Sequence, residues 1–155
     1  MEVHRRLADA MTARRRHPWL LALALLCGRA DACWQDAAER YGVNASLLYA
    51  IARTESRLDP LARGRVNANG SYDIGLMQIN SSWLPTLRRH GIEEQQLYDA
   101  CTSIHVGAWI LAQNMRRLGN SWDAVGAYNA ADPKKRLAYA LKVYRNLPQD
   151  PAPGR

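Results

Sequence analysis

NASLLYAIARTES, residues 44–56, predicts an amphipathic helix that begins at a polar cap. Asn44 suits the cap position, because its side-chain oxygen accepts a hydrogen bond from a free amide of the first turn. The helix should run from Ala45 to about Ser56, and Pro60 prevents its extension. One face carries these residues in register: Leu48, Ile51, Ala52 and Glu55. The pattern therefore directs a carboxyl group toward the core.

The position of Glu55 suggests acid catalysis. It lies in the last turn of its helix, where the helix dipole is negative. Burial and the dipole both disfavour the carboxylate, so both raise its pKa and retain a proton near neutral pH. A protonated carboxyl group beside a cleft is what a general acid for glycosidic cleavage requires. Periodicity alone equally permits an outward Glu55 that pairs with Arg53 or Arg57.

The rest of the chain is predicted to be mainly helical, with one small β excursion. Further helices are expected at Trp34–Tyr41, Ser82–His90, Asp99–Leu118, Ser121 to about Ala130, and Lys134–Leu147. An Asn-Gly pair inside Val66–Tyr72 is a hairpin signal. In the last helix we expect Leu137, Leu141 and Tyr144 to face inward. The predicted fold class is α+β and mainly α, with one domain over residues 33–147 and a loose, proline-rich tail at 148–155.

Residues 1–32 have the composition of a secretory signal peptide. Basic residues precede nine apolar ones, Trp19–Cys27, and Gly28–Ala32 supplies a small-x-small cleavage pattern. The apolar run is too short to span a bilayer. Translation could start at Met1, or at Met11, which gives a more typical length. The alternative is a buried N-terminal helix, but the pattern favours export to the bacterial periplasm.

The charge of the chain does not indicate a nucleic-acid partner. The formal charge is +7, from 21 basic and 14 acidic residues. Residues 1–32 hold six of the basic and three of the acidic residues, which leaves +4. We expect that remaining charge to be scattered, and no RNP-like aromatic motif or zinc-finger spacing accompanies it.

Two cysteines would remain after export, because Cys27 belongs to the signal segment. A bridge between Cys33 and Cys101 would tie the new N-terminus to the domain. Closing a loop of that length contributes about 3–5 kcal/mol to stability. The alternative is two free buried thiols.

Two further segments mix polar with apolar residues. Gly70–Asn80, GSYDIGLMQIN, has the composition of a substrate-lining wall, with two glycines that let the backbone approach a polar ligand. Gly126–Ala130, GAYNA, ends a helix with a ring able to stack on a sugar. Together with Glu55-Ser56, the segments Gly75–Asn80 and Ala127–Ala130 resemble, in order and spacing, the motifs of the lysozyme-like lytic transglycosylases.

The resemblance covers Cys33 to about Leu147 and implies a lysozyme-like fold with a small β-hairpin. The signal segment, small size and cysteine pair look most like the specialised subgroup found beside type III secretion systems, pili and conjugation machines. Such proteins open the cell wall locally for an envelope-spanning apparatus. The implied substrate is the peptidoglycan glycan strand, and components of such an apparatus are implied partners.

Residue by residue, the resemblance makes Glu55 the catalytic acid and base. Gln78 and Asn80 would hydrogen-bond the N-acetyl and hydroxyl groups of the sugar. Met77 and Tyr128 would line the cleft, Asn129 would position the glycan, and Ser56 would be structural. Glu55 would protonate the oxygen between N-acetylmuramic acid and N-acetylglucosamine. It would then take the proton of the C6 hydroxyl, which attacks C1 and forms a 1,6-anhydro end.

Asp73 departs from the commoner transglycosylase pattern. Its surroundings are also similar to the animal C-type lysozymes, in which an aspartate at that point is the second catalytic carboxylate. A hydrolytic muramidase using Glu55 and Asp73 is therefore one alternative, and a non-catalytic glycan-binding scaffold is another. Asp73 could also be a turn residue that bonds backbone amides. No metal or cofactor is expected, because His90 and His105 are isolated, with His105 expected in the core.

Overall fold

A computed structural model describes residues 32–149 of the chain. Its elements are α1 (32–41), α2 (Ala45–Ser56), β1 (Asp73–Ile74), β2 (Ile79–Asn80), a 3-10 helix (Ser81–Trp83), α3 (Leu84–Arg88), a second 3-10 helix (Glu94–Tyr98), α4 (Ala100–Leu118), α5 (Trp122–Gly126) and α6 (Pro133–Arg145). The predicted fold class, mainly α with one small sheet, is confirmed. The predicted signal peptide, apart from Ala32, and residues 150–155 of the predicted tail lie outside the described residues. Within residues 32–149, no helix is long and apolar enough to cross a membrane.

The hydrophobic core is built chiefly from α2 and the long helix α4. Asn44 caps α2 as predicted, accepting a hydrogen bond from the Leu47 amide at 3.0 Å. Asp99 caps α4 through the Thr102 amide at 2.8 Å. Both helices contribute fully or almost fully buried residues: Leu48, Ala50, Ile51, Ala52, Ile104, Ala108 and Leu111. Burial of a Leu or Ile side chain contributes about 1.5–3 kcal/mol, so this core holds the carboxyl end of α2 firmly.

The two strands pair across a tight turn at 75–78. Asp73 is opposite Asn80, and Ile74 is opposite Ile79. The hairpin predicted over Val66–Tyr72 is displaced from this position. The chain does reverse there, and the Asn67 amide donates to the Ser71 carbonyl at 2.7 Å, but both named strands follow that reversal. The reversal at the Asn-Gly pair brings Arg63 opposite Ile74 in an isolated antiparallel bridge, and the two named strands are joined by the next turn, at 75–78.

The inward face predicted for the last helix is wrong. Leu137, Leu141 and Tyr144 are 63%, 46% and 60% exposed. The buried residues of α6 are Tyr139, Ala140 and Val143. Both sets recur at helical spacing, so periodicity alone permitted either face. Packing decides in favour of the second set, because α6 lies mainly against α5 and α2.

Other element boundaries differ in detail. The predicted helix over Ser82–His90 divides into the first 3-10 helix and α3, and the second 3-10 helix was not predicted. The helix predicted from Ser121 to about Ala130 ends at Gly126 and continues as a turn. At this end α5 packs closely on α6. A Cβ at Gly126 would lie only 2.5 Å from the Arg136 carbonyl oxygen.

The disulfide between Cys33 and Cys101 is present and joins α1 to α4. Their Cα atoms are 5.5 Å apart, and the cysteines are 68 positions apart in the chain. His105, on the next turn of α4, differs from its predicted core position. Its side chain is partly exposed and its Nε2 lies 3.1 Å from a carboxylate oxygen of Asp36.

Candidate active site

Glu55 lies at the carboxyl end of α2, and its side chain lines a cleft between the helices and the sheet. The hydroxyl of Tyr139, on α6, donates a hydrogen bond to Glu55 Oε1 at 2.5 Å. Among the described residues, no ion pair joins Glu55 to Arg53 or Arg57. Of the two orientations that periodicity permits, the structure therefore shows the inward one.

The surroundings of Glu55 favour its protonated form. Burial is the largest influence and raises the pKa of this carboxyl group from 4.5 to about 7 in combination with its neighbours. The hydrogen bond from Tyr139 lowers the pKa, the negative charge of Asp73 raises it, and Lys142 lowers it. A group with this pKa gives up and recovers a proton near neutral pH, as a group that serves first as acid and then as base must.

Asp73 faces the same cleft from β1. Its Oδ1 accepts a hydrogen bond from Asn80 Nδ2 at 2.8 Å, across the strand pair. The Asn80 side-chain amide also donates to Ser71 Oγ at 3.2 Å, and Asn80 Oδ1 accepts from the Ser82 amide at 3.1 Å. These three hydrogen bonds hold the Asn80 side chain in place, and the one to Asp73 orients the Asp73 carboxylate.

The cleft has a volume of about 350 Å³ and is mostly polar in its side chains. Its lining residues are Glu55, Asn67, Asp73, Gln78, Ile79, Asn80, Trp83, Ile110, Tyr128 and Asn129. Two larger cavities, of about 560 and 720 Å³, are lined without any carboxyl group. The chemistry of the lining, and not the volume, therefore identifies the candidate site.

Met77 lies elsewhere than predicted. We expected its side chain to line the cleft, but the side chain is fully buried beneath it. Its backbone joins three elements: the amide donates to Ser103 Oγ at 3.1 Å, and the carbonyl accepts from the Tyr128 hydroxyl at 2.9 Å. Ser56 adds a further link, because its hydroxyl donates to the Leu76 carbonyl at 2.7 Å. This backbone network positions the turn over the carboxyl end of α2.

Gln78 and Tyr128 each use a polar group to hold the site together. Gln78 Nε2 donates to the carbonyls of Gly75, at 2.9 Å, and Ala62, at 3.2 Å. Its φ of +46° is rare for a residue with a side chain. Burial raises the pKa of the Tyr128 hydroxyl well above its usual value, with further increases from the charges of Glu55 and Asp73. Tyr128 is therefore a permanent hydrogen-bond donor in the cleft wall.

Four lining residues and one partner of Glu55 were not predicted. The lining residues are Asn67, Ile79, Trp83 and Ile110. Tyr139 was missed because the opposite face of its helix was expected to be buried. Its register with Ala140 and Val143 is the sequence signal that could have found it. Burial and the nearby Glu55 raise the pKa of Tyr139 far above its usual range, so this hydroxyl donates at every physiological pH.

The described residues hold no group of three or more His, Cys, Asp or Glu side chains placed to bind a metal ion. The cleft is lined by carboxyl, amide and hydroxyl groups together with apolar side chains. A partly buried acid in a polar cleft, in a small helical domain with a two-stranded sheet, is the arrangement of the lysozyme-like folds.

Within that class, the Transglycosylase SLT domain family matches residues 32–143. The chain belongs to this family and is an enzyme of the lytic transglycosylase class. It is 47% identical over 133 residues to the invasion protein IagB of Salmonella typhimurium, covering 83% of this chain and 81% of IagB. It is also 47% identical over 131 residues to the protein IpgF of Shigella flexneri, covering 78% of this chain and 85% of IpgF.

A solved structure shares the fold. An inactive mutant of the lytic transglycosylase Slt from Pseudomonas aeruginosa matches with a TM-score of 0.60 and 27% identity. The match covers 75% of this chain and 23% of the Slt chain, so this chain corresponds to about a quarter of the Slt protein.

Proposed function

We propose that the protein cleaves the β-1,4 bond between N-acetylmuramic acid and N-acetylglucosamine in peptidoglycan and leaves a 1,6-anhydro-muramyl end. The observation that carries the proposal is that Glu55, a partly buried carboxyl group bonded by the Tyr139 hydroxyl, lines a polar cleft together with Asp73. The solved Slt structure supports the proposal, because it is that of an inactive Glu-to-Gln mutant of a lytic transglycosylase.

The proposed reaction uses Glu55 twice. As an acid, Glu55 donates its proton to the glycosidic oxygen, and the bond from C1 to that oxygen breaks as positive charge develops at the muramyl C1. As a carboxylate, Glu55 then accepts the proton of the C6 hydroxyl, whose oxygen forms the new bond to C1. No water is consumed, and Glu55 regains the proton it gave. Tyr139 holds Oε1, which leaves Oε2 to carry the proton.

The polar lining is suited to bind and orient the sugar. We assign Gln78 and Asn80 to its N-acetyl and hydroxyl groups, Tyr128 to the cleft wall and Asn129 to glycan positioning. The amide nitrogens of Gln78 and Asn80 are already engaged in the protein, so Gln78 would offer its oxygen. Asp73 would stabilise the positive charge that develops at C1.

Hydrolysis is the second candidate, and Asp73 is the observation that favours it. Its carboxylate lines the same cleft as Glu55, and its charge raises the Glu55 pKa. A carboxylate beside an acid is the arrangement of retaining glycosidases, in which the carboxylate attacks C1 and water later releases the sugar.

The product decides between these reactions. The purified protein should digest isolated sacculi, and the soluble muropeptides should be weighed by mass spectrometry. Fragments one water lighter than hydrolytic fragments would support the transglycosylase, whereas reducing ends would overturn it in favour of the muramidase. Binding without any release of fragments would indicate a glycan-binding scaffold.

We also propose export to the bacterial periplasm and a local opening of the cell wall for an envelope-spanning secretion apparatus. The similarity to IagB, an invasion protein, supports this context. Fractionation of cells that express the full chain tests the location, with processing after Ala32 as the expected result. Retention of residues 1–32 on a cytoplasmic protein would contradict it.

Replacement of Asp73 by Asn should lower kcat by about 100-fold, because it removes a charge that stabilises the transition state. It should also shift the alkaline limb of the pH–rate profile to lower pH, since the Asp73 charge raises the Glu55 pKa. Asp59→Asn, an exposed acid outside the cleft, is the matched control. Unchanged kcat in Asp73→Asn would reduce Asp73 to a structural partner of Asn80.

The pH–rate profile should fall above pH 7. Glu55 must be protonated to act as the acid, and this form is lost as the pH rises through its pKa of about 7. Tyr139→Phe removes a hydrogen bond that lowers the pKa, so the alkaline limb should move to higher pH. Tyr144→Phe, an exposed tyrosine of the same helix, should leave the limb in place. Identical limbs in all three proteins would show that Tyr139 does not act through Glu55.

A further inference from the structure

Helix α6 presents an apolar surface that the fold does not cover. We define the α6 surface as four exposed side chains: Trp122, Leu137, Leu141 and Tyr144. They line one shallow depression, in which the Trp122 and Tyr144 rings meet edge to face at 5.5 Å. Contiguous exposed apolar side chains on a small domain indicate an interaction site more strongly than scattered ones do.

The net positive charge of residues 33–155 lies on α6, whereas we expected it to be scattered along the chain. Helix α6 carries five Lys or Arg residues and no acid. The rest of residues 33–155 carries ten basic and eleven acidic residues. Arg136 is paired with Asp123 at 3.1 Å. For the other four basic side chains of α6, no ion pair occurs within residues 32–149.

The geometry of α6 separates this surface from the catalytic cleft. Tyr139 bonds Glu55 on the inner side of the helix. Leu137 and Leu141 are each two residues from Tyr139, which places them about 200° around the helix from it. Lys134 lies three residues before Leu137, and Arg145 lies four residues after Leu141, so both cations share the outer side with the apolar residues.

We propose that the α6 surface docks the protein on an anionic lipid bilayer. Leu, Trp and Tyr side chains beside Lys and Arg are the composition that seats a helix in the membrane interface. Leu137 and Tyr144 project into solvent, 63% and 60% exposed, around a depression of only about 260 Å³. Projecting side chains suit insertion among lipid headgroups better than a shallow depression suits an inserted protein helix. The surplus cations complement anionic headgroups.

Vesicle binding tests the proposal. The processed protein, purified from the periplasm of expressing cells, should sediment with vesicles that contain about one quarter phosphatidylglycerol in phosphatidylcholine, at about 0.1 M salt. Binding to pure phosphatidylcholine should be at least about tenfold weaker, because the surplus cations then have no anionic headgroups to attract them. Raised salt should weaken binding to the anionic vesicles. Equal binding to both vesicle types, or binding to neither, would overturn the proposal.

Matched variants assign the binding to the α6 surface. The double variant Leu137→Ser with Leu141→Ser should bind anionic vesicles about tenfold more weakly. Lys134→Gln and Arg145→Gln should each weaken binding by about fivefold. Leu61→Ser, at an exposed leucine outside this surface, and Arg65→Gln are the controls and should bind like the parent.

Two results would contradict the docking surface. One is equal loss of binding in the α6 variants and the controls, which would show that the surface is not the contact. The other is a parent protein that does not bind vesicles but captures an acidic helical peptide, while the double variant does not capture it. This result would assign the surface to a protein partner.

Discussion

Replacement of Glu55 by Gln should lower kcat by about 100- to 10,000-fold, the usual contribution of a positioned acid–base group. Gln has nearly the same shape and still accepts the Tyr139 hydrogen bond through its oxygen. It has no proton of suitable acidity to give to the glycosidic oxygen, and its neutral amide cannot act as the base. The measurement is the rate of muropeptide release from sacculi at pH 6, below the Glu55 pKa of about 7.

The same variant should be more stable than the parent above neutral pH. Burial raises the pKa of Glu55 from 4.5 to about 7, so the folded protein holds this proton more tightly than the unfolded chain. The contribution of Glu55 to stability is therefore fully present below about pH 4.5 and is lost as the pH rises to about 7. Above that range the buried carboxylate costs about 3 kcal/mol, at 1.36 kcal/mol per pKa unit. The neutral amide of the Glu55→Gln variant avoids most of this cost.

Denaturant titration at pH 8 checks the gain in stability, and Glu39→Gln, an exposed glutamate of α1, is the control. The control should change neither activity nor stability. A variant that is both more stable and inactive cannot owe its inactivity to unfolding. Activity within threefold of the parent in Glu55→Gln would remove Glu55 from the chemistry, and with it the proposed reaction.

Local sequence signals predicted the part of the site that depends on a single helix. The cap at Asn44 predicted the start of α2, and the register of Leu48, Ile51 and Ala52 placed Glu55 on the core face, although an outward Glu55 was equally permitted. Each of these signals depends on residues that are close together in the chain, so tertiary packing did not change the start of α2 or the face on which Glu55 lies.

The sequence pattern could not predict contacts between segments that are far apart in the chain. Tyr139 bonds Glu55 across 84 positions, and α6 has two candidate faces, between which only packing on α5 and α2 decides. Met77 shows the same limit, because a motif names residues without stating where each side chain points. In the same turn, Gln78 lines the cleft and Leu76 is buried in the core. The backbone conformation of the turn decides between these two directions.

The turn that carries these residues depends on Gly75. Its φ is +72°, a left-handed conformation that disfavours any side chain. A Cβ at this position would also lie 2.1 Å from the Leu97 carbonyl oxygen and 3.4 Å from Ser103 Oγ. The first neighbour is backbone and cannot rotate away. Both effects act at the point where β1 enters the turn that positions Gln78.

Gly75→Ala should therefore lower the free energy of unfolding by about 3–5 kcal/mol, the range of the most damaging single substitutions. Gly70→Ala separates the two effects, because Gly70 has a similar φ of +81° but no atom within 4 Å of an added Cβ. It should cost only about 1–2 kcal/mol, the conformational penalty alone. Urea titrations of the parent and both variants measure the difference. Equal losses would mean that the backbone at Leu97 moves away, and that the close approach of the turn to the second 3-10 helix does not determine the shape of the cleft.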